Sequence, residues 1–152
     1  MTTTIDNVDD LHRLLGQQLD CSDWLDITQD RVNTFADATA DHQWIHVDIE
    51  RANTESPYGG PIAHGYLTLS LLSAMFLQTL TVRRTSMAVN YGLNKVRFPA
   101  PVPVGSKVRL TATVTTVEEI DDGVQIVLAA TVECTAVDKP VCVAEPVFRF
   151  YR

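Results

Sequence analysis

The chain has 152 residues, 45% of them hydrophobic and 20% charged, the proportions of an ordinary globular protein with one domain and a sizeable core spanning 1–152. Its formal net charge of −7 argues against a nucleic-acid binder or a ligand of anionic membranes. Three cysteines without C-x-x-C spacing argue against a disulfide framework, and the start MTTTIDNVDDLHRLL carries no secretory pattern, so a reducing, cytoplasmic setting is expected.

In chain order, VDDLHRLLGQ (8–17) places Leu11, Leu14 and Leu15 at helical spacing with Gly16 as a stop. DWLDI reads as a short strand. TQDRVNTFADATAD (28–41) predicts a helix capped by Thr28, with Val32, Phe35, Ala36 and Thr39 as its buried stripe. Residues 42–60 have no sustained period and read as a loop. PIAHGYLTLSLLSAMFLQTL (61–80) is uncharged and about long enough to span a bilayer, but His64, Thr68, Ser70, Ser73, Gln78 and Thr79 interrupt it. It reads as a buried core helix with Pro61 in its first turn.

After residue 85 the period becomes two. Ala88, Asn90, Gly92, Asn94, Val96 and Phe98 fall on one face of MAVNYGLNKVRF, and PAPVPVGS is a stiff connection. Val108, Leu110, Ala112 and Val114 alternate with polar residues until the phase slips before Val117, the mark of a bulge. DDG (121–123) reads as a hairpin turn, Val124 to Cys134 alternate cleanly, DKP reads as a second turn, and VCVAEPVFRFY closes the chain. Helices first and four long antiparallel strands after them predict an α+β fold, with a curved meander wrapped around the apolar helix.

The chemistry-bearing residues gather in ADATADHQWIHVD and GGPIAHG. Asp41 and His46 can be brought by a loop onto one water, which a carboxylate and an imidazole can hold and deprotonate. The plainer reading of Asp41 is a cap or turn residue. His42 and His46 form H-x-x-x-H, with His64 the only candidate third ligand and no H-E-x-x-H pattern, so no metal is expected. Gly65 falls in the first turn of the apolar helix, where unpaired N–H groups suit a developing oxyanion; the alternative is that it only permits close packing. Asn90 and Asn94 are expected to point toward the central helix, as carboxamides bonded to site groups or water. Between Glu55 and Glu118 there is no acidic residue, whereas Arg83, Arg84, Lys95, Arg97, Lys107 and Arg109 all occur there. That segment is either a seat for a small polyanion or a solvated strand face.

FADATADHQWIHVD followed by GGPIAHGYLTLSLLS resembles the hydratase motif of the MaoC-like, (R)-specific enoyl-CoA hydratases, and NYGLNKVRFPAPVPVGSKVRL is similar to the NodN-type branch of that family. The resemblance covers residues 22–150. It implies a hot-dog fold, a long helix wrapped by an antiparallel sheet, usually as a homodimer. It also implies that Asp41 and His46 activate water, that the Gly65 N–H holds the thioester carbonyl, and that Ser73 supports the site. Gln43-Trp44 stands where the family has Asn-Pro, so Gln43 retains a carboxamide one methylene longer and Trp44 brings a large ring toward the acyl pocket.

The expected reaction is hydration of trans-2-enoyl-CoA to (R)-3-hydroxyacyl-CoA, with CoA arriving as part of the acyl-CoA substrate and no cofactor required. Two rivals remain: a 3-hydroxyacyl-thioester dehydratase acting on an acyl-carrier protein, and a non-catalytic acyl-CoA-binding module of the same fold.

Overall fold

The computed structural model describes residues 1–152. Alternating apolar residues build the large sheet. Its strands are β2 (Leu25–Asp26), β4 (Met87–Arg97), β5 (Lys107–Ile120), β6 (Gly123–Cys134) and β7 (Val137–Tyr151), in the spatial order β2-β5-β6-β7-β4. All neighbours in it are antiparallel. Two further strands, β1 (Thr3–Asn7) and β3 (Leu80–Arg84), form a separate parallel pair. The inward-pointing set of β5, β6 and β7, which includes Leu110, Val114, Ile126, Leu128, Val132, Cys142 and Phe148, is buried. Against it packs the central helix α4 (Gly65–Thr79), which buries Leu67, Leu72, Met75 and Phe76; the rings of Phe76 and Phe148 stack at 4.5 Å. This is the wrapped-helix, hot-dog architecture.

The earlier helices are α1 (Gln29–Thr39), α2 (Trp44–Val47) and α3 (Ile49–Glu55), preceded by a 3₁₀ segment at Val8–Leu14 where the spacing of Leu11, Leu14 and Leu15 predicts a helix stopped by Gly16. Thr28 caps α1 as expected, its hydroxyl accepting from the Arg31 N–H at 3.1 Å. Within the α1 stripe Val32 and Ala36 are buried, whereas Thr39 is exposed and folds its hydroxyl onto the Phe35 carbonyl. The expected loop at 42–60 contains α2 and α3, each too short to show a period.

The bulge on β5 lies where the phase slips, between Val114 and Thr116, and Asp121-Asp122-Gly123 makes the hairpin with Asp122 left-handed at φ 56°. The second turn is displaced. It falls at Thr135-Ala136, held where the Thr135 N–H donates to the Lys107 carbonyl and the Lys107 N–H donates to Thr135 Oγ1. Asp138–Pro140 lies inside β7, where the register with β6 slips, as a strand proline requires.

Strand β4 departs most from its sequence pattern. It sits at the sheet edge beside β7, and its register slips twice, between Asn90 and Gly92 and between Leu93 and Val96. Each slip reverses the side facing the core, so Ala88, Asn90, Leu93 and Val96 oppose the inward residues Phe150, Phe148, Pro146 and Ala144. The single face shared by Asn90, Gly92 and Asn94 therefore does not exist.

Because β4 and β5 lie apart, the chain between them must cross the fold. The proline-rich connection at 98–106 does so, and it is pinned to the residues just before α4. The Ala63 N–H donates to the Val102 carbonyl at 2.8 Å, and the Val104 N–H donates to the Pro61 carbonyl at 3.0 Å. Pro61 belongs to this junction, and α4 begins four residues later, at Gly65.

Candidate active site

The carboxy-terminal end of α1 turns sharply at Ala40, which is left-handed with φ 60°. That reversal throws Asp41 back across the helix end, toward α2 and the start of α4. Ligand-capable atoms of Asp41, His46 and His64 all lie within 4.8 Å of one another. The first is exposed, while both imidazoles are buried, His46 at 6% and His64 at 3% exposure. The two rings stack, with centroids 3.8 Å apart and planes inclined by 22°.

Backbone carbonyls set the state of each ring. His46 Nδ1 lies 2.6 Å from the Ile62 carbonyl, and His64 Nε2 lies 2.9 Å from the Asp41 carbonyl. A carbonyl can only accept, so these nitrogens carry the hydrogens and His46 Nε2 and His64 Nδ1 keep the lone pairs. Burial pushes the His46 pKa below its usual 6.5, and the nearby His64 adds to this; the Ile62 carbonyl and Asp41 oppose it. His46 is thus held as a neutral base. Gln29 steadies the same residue from α1, its Nε2 donating to the His46 carbonyl at 2.8 Å.

Against His46 lies a cavity of about 450 Å³ lined also by Tyr58, Ile62, Gly65, Thr68 and the 98–102 segment, among others; Asp41 and His64 do not line it. That size suits a small acyl group. Gly65 opens α4, where first-turn N–H groups have no partner inside the helix. It also lies flat against Phe98; a Cβ here would meet that ring at 3.1 Å. Both sequence readings of Gly65 therefore describe the same atom set: a donor at a helix start and a close approach.

The other expected site residues are placed differently. Ser73 lies two turns further along α4, where Asn90 Nδ2 approaches its hydroxyl at 3.4 Å, and the two line a smaller apolar groove with Phe76 and Leu77. Asn94 is exposed in the second irregularity of β4 and does not line the His46 cavity, so its expected orientation toward the central helix is corrected. Gln43 is exposed and caps α2 without a side-chain bond. Trp44 lies under the Arg51 guanidinium at 4.2 Å rather than along the cavity. His42 bonds the exposed Asp37 carboxylate at 2.8 Å, away from the stacked pair. Of the basic residues, Arg83, Lys107 and Arg109 pair with Asp6, Asp26 and Glu133, whereas Arg84, Lys95 and Arg97 have no acidic partner.

As donors to a metal, His46 Nε2 and His64 Nδ1 would leave from nearly parallel planes. Ring stacking of this kind suits a hydrogen-bonded water better than an ion requiring two nitrogens at about 2.0–2.1 Å with tetrahedral convergence.

Sequence reasoning passed over two features. In the sequence His64 stands out only as a candidate third ligand, and its stacking on His46 depends on the 61–63 junction pinned by a distant connection. Thr68 stood out only as one hydroxyl in an apolar run. Yet the buried side-chain atoms without a partner in this chain are Gln29 Oε1, His64 Nδ1 and Thr68 Oγ1, and all three belong to residues that touch His46 or line its cavity.

The family profile described as a MaoC like domain matches residues 10–137. The 3-hydroxyacyl-thioester dehydratase Z of Mycobacterium tuberculosis is 53% identical over 148 residues, 97% of each chain. Nodulation protein N of Rhizobium leguminosarum bv. viciae is 54% identical over 101 residues, which is 66% of this chain and 63% of that one. Among solved structures, an unliganded R-hydratase from Pseudomonas aeruginosa superposes with a TM-score of 0.71 at 25% identity, covering 88% of this chain and 79% of that one.

Proposed function

Since the chain belongs to the MaoC-like family and is a dehydratase of the hydro-lyase class, we propose that it interconverts (R)-3-hydroxyacyl and trans-2-enoyl thioesters, with dehydration as its working direction. The preference for dehydration reverses the emphasis read from the sequence. It rests on the dehydratase of M. tuberculosis, which matches nearly end to end.

The observation that carries the chemistry is the closeness of Asp41 to a buried, neutral His46 whose tautomer is fixed by the Ile62 carbonyl. In the hydration direction, Asp41 takes a proton from a water that attacks C3, and His46 Nε2 orients that water and relays the proton delivered to C2. The Gly65 N–H meets the enolate oxygen that develops at the thioester. In dehydration the same groups act in reverse: a proton leaves C2, and the C3 hydroxyl departs as water after receiving a proton. Each charge stays within one hydrogen-bonded cluster, and no cofactor is called for beyond the substrate's own thioester carrier.

The carrier is CoA or an acyl-carrier protein, and Arg84, Lys95 and Arg97, free of acidic partners, suit the phosphates of either. A second copy of the chain completes the assembly in this reading. Helix α4 leaves Tyr66 and Leu77 exposed beside the edge strand β4, where Met87 and Leu93 are exposed as well. Sedimentation at micromolar concentration is expected to show a homodimer.

The test is absorbance at the enoyl-thioester band, starting separately from (R)-3-hydroxybutyryl-CoA, crotonyl-CoA, longer homologues and the matching carrier-protein thioesters, with chiral analysis of the hydrated product. Turnover of at least one pair in both directions with (R) stereochemistry is expected. No change with any thioester in either direction would sink the assignment.

A further inference from the structure

Most hydroxyls on the helices of this protein satisfy themselves by folding back onto the preceding turn, and that of Ser73 meets Asn90 Nδ2 instead. Thr34 donates to the Asp30 carbonyl at 2.9 Å, Thr39 to Phe35 at 2.7 Å, Ser70 to Tyr66 at 2.6 Å and Thr79 to Phe76 at 2.8 Å. Thr68 breaks the pattern. It is 1% exposed, and its Oγ1 has no partner anywhere in the chain. The carbonyl one turn back, that of His64, accepts from the Leu67 and Thr68 N–H groups and not from this hydroxyl. Nor does Thr68 Oγ1 reach His64 Nδ1, since that atom is without a partner too.

Position explains what the hydroxyl is for. Thr68 lines the His46 cavity together with Gly65. Side chains on a helix lean toward its amino terminus, so the Thr68 side chain lies over the first turn of α4, the turn that begins with the unpaired Gly65 N–H. Both residues line the same cavity, the threonine one turn along α4 from the glycine whose amide opens the helix. A buried hydroxyl with no partner destabilises the empty protein, and valine, of almost the same shape, would remove that cost.

Resting on the reaction proposed above, we propose that Thr68 Oγ1 is a catalytic residue: a second donor, beside the Gly65 N–H, to the thioester oxygen as it gains enolate character. The hydroxyl keeps its own proton; it shares the negative charge through a hydrogen bond that is stronger to an enolate oxygen than to a ground-state carbonyl. An amide alone offers one donor to an oxygen with more than one lone pair, and Thr68 fills the second position without adding a charge to the cavity.

The experiment compares wild type, Thr68→Val and Thr68→Ser in turnover of (R)-3-hydroxybutyryl-CoA and crotonyl-CoA, alongside thermal melts of the unliganded proteins. Loss of an oxyanion donor falls on the transition state, so Thr68→Val should lower kcat on the order of 10²-fold while KM stays within about threefold. Its melting temperature should rise, and Thr68→Ser, which keeps the hydroxyl, should recover most of the rate. A merely structural threonine would give the opposite pair: a lower melting temperature with kcat within about threefold of wild type. That result, or a rate loss that serine does not restore, overturns the proposal and leaves the dehydratase reading standing. A wild-type protein inactive on every thioester would instead overturn the dehydratase reading, and this role with it.

Discussion

The two halves of α4 use similar side chains and differ in what they leave unsatisfied. Toward the carboxy terminus, Leu72, Met75 and Phe76 pack against the sheet, and the only buried hydroxyl, that of Thr79, is bonded to the Phe76 carbonyl. Toward the amino terminus, Thr68 Oγ1 and the capping His64 Nδ1 are buried with no partner. A globular interior rarely tolerates such atoms, because each costs about 1–3 kcal/mol. With Gln29 Oε1 on α1 they make up the buried unpartnered set, and all three belong to residues that touch His46 or line its cavity. The other end is ordinary core.

The strongest way to break that contrast is at the paired groups. Asp41→Asn keeps size and hydrogen bonding but removes the base, and His46→Gln removes the imidazole. Each should lower kcat by ~10²–10⁴-fold while the protein stays folded. In the proposed reaction the two act on one water, so the double variant should be little worse than either single one in the same assay. Near-normal rates with unchanged melts would mean the cluster is structural.

Met75→Ala probes the opposite end. Met75 is fully buried, and truncation should cost about 2–5 kcal/mol in denaturant unfolding. The folded fraction should keep nearly full kcat. An equal loss of activity per folded molecule would show that the two ends are not separable.

A third measurement follows the His46 proton. Its folded pKa is depressed, mainly by burial, so the unfolded state binds the proton more tightly. The stabilisation is fully present above the unfolded value near 6.5 and is lost as pH falls from there through the lowered folded value. Melting temperature should decline over that window, less steeply in His46→Gln, and activity should fall on the acid side as the base is protonated. A pH-melting profile identical in the two proteins would remove His46 from this role.

The smallest effect belongs to His42→Gln. Its ring is tied to Asp37 on the surface, so kcat should remain within about threefold, a barrier change below ~1 kcal/mol. A larger loss would extend the catalytic cluster outward.

What was legible in the sequence follows the same division. The alternation of β5, β6 and β7, the bulge before Val117, the Asp-Asp-Gly hairpin and the uncharged helix all come from burial patterns that a one-face core imposes locally. The nearness of Asp41 and His46 was legible because they are close in sequence and joined by a short loop. Less was legible where distant contacts decide. Strand β4, exposed along much of its length, has no continuous burial constraint to fix its phase, so neither the two register slips nor the outward turn of Asn94 is legible in its alternation. Thr135-Ala136 turns because Lys107 holds it, and neither residue carries a turn signature. The stack of His46 on His64 requires the 98–106 connection to pin the 61–63 junction, a contact no window of residues contains. Thr68 stayed hidden because a threonine in an apolar helix ordinarily bonds its own backbone.

The slips in β4 have a consequence for how the chain behaves among other chains. A long, flat, unpaired strand at a sheet edge is an open template on which further chains can stack without limit. Two interruptions in β4 bend and twist the strand and break the even spacing of its ladder. A passing extended segment cannot zip along it, whereas a strand with the same interruptions can meet it in register. The edge is therefore guarded against fibrous growth, and it is guarded through backbone geometry.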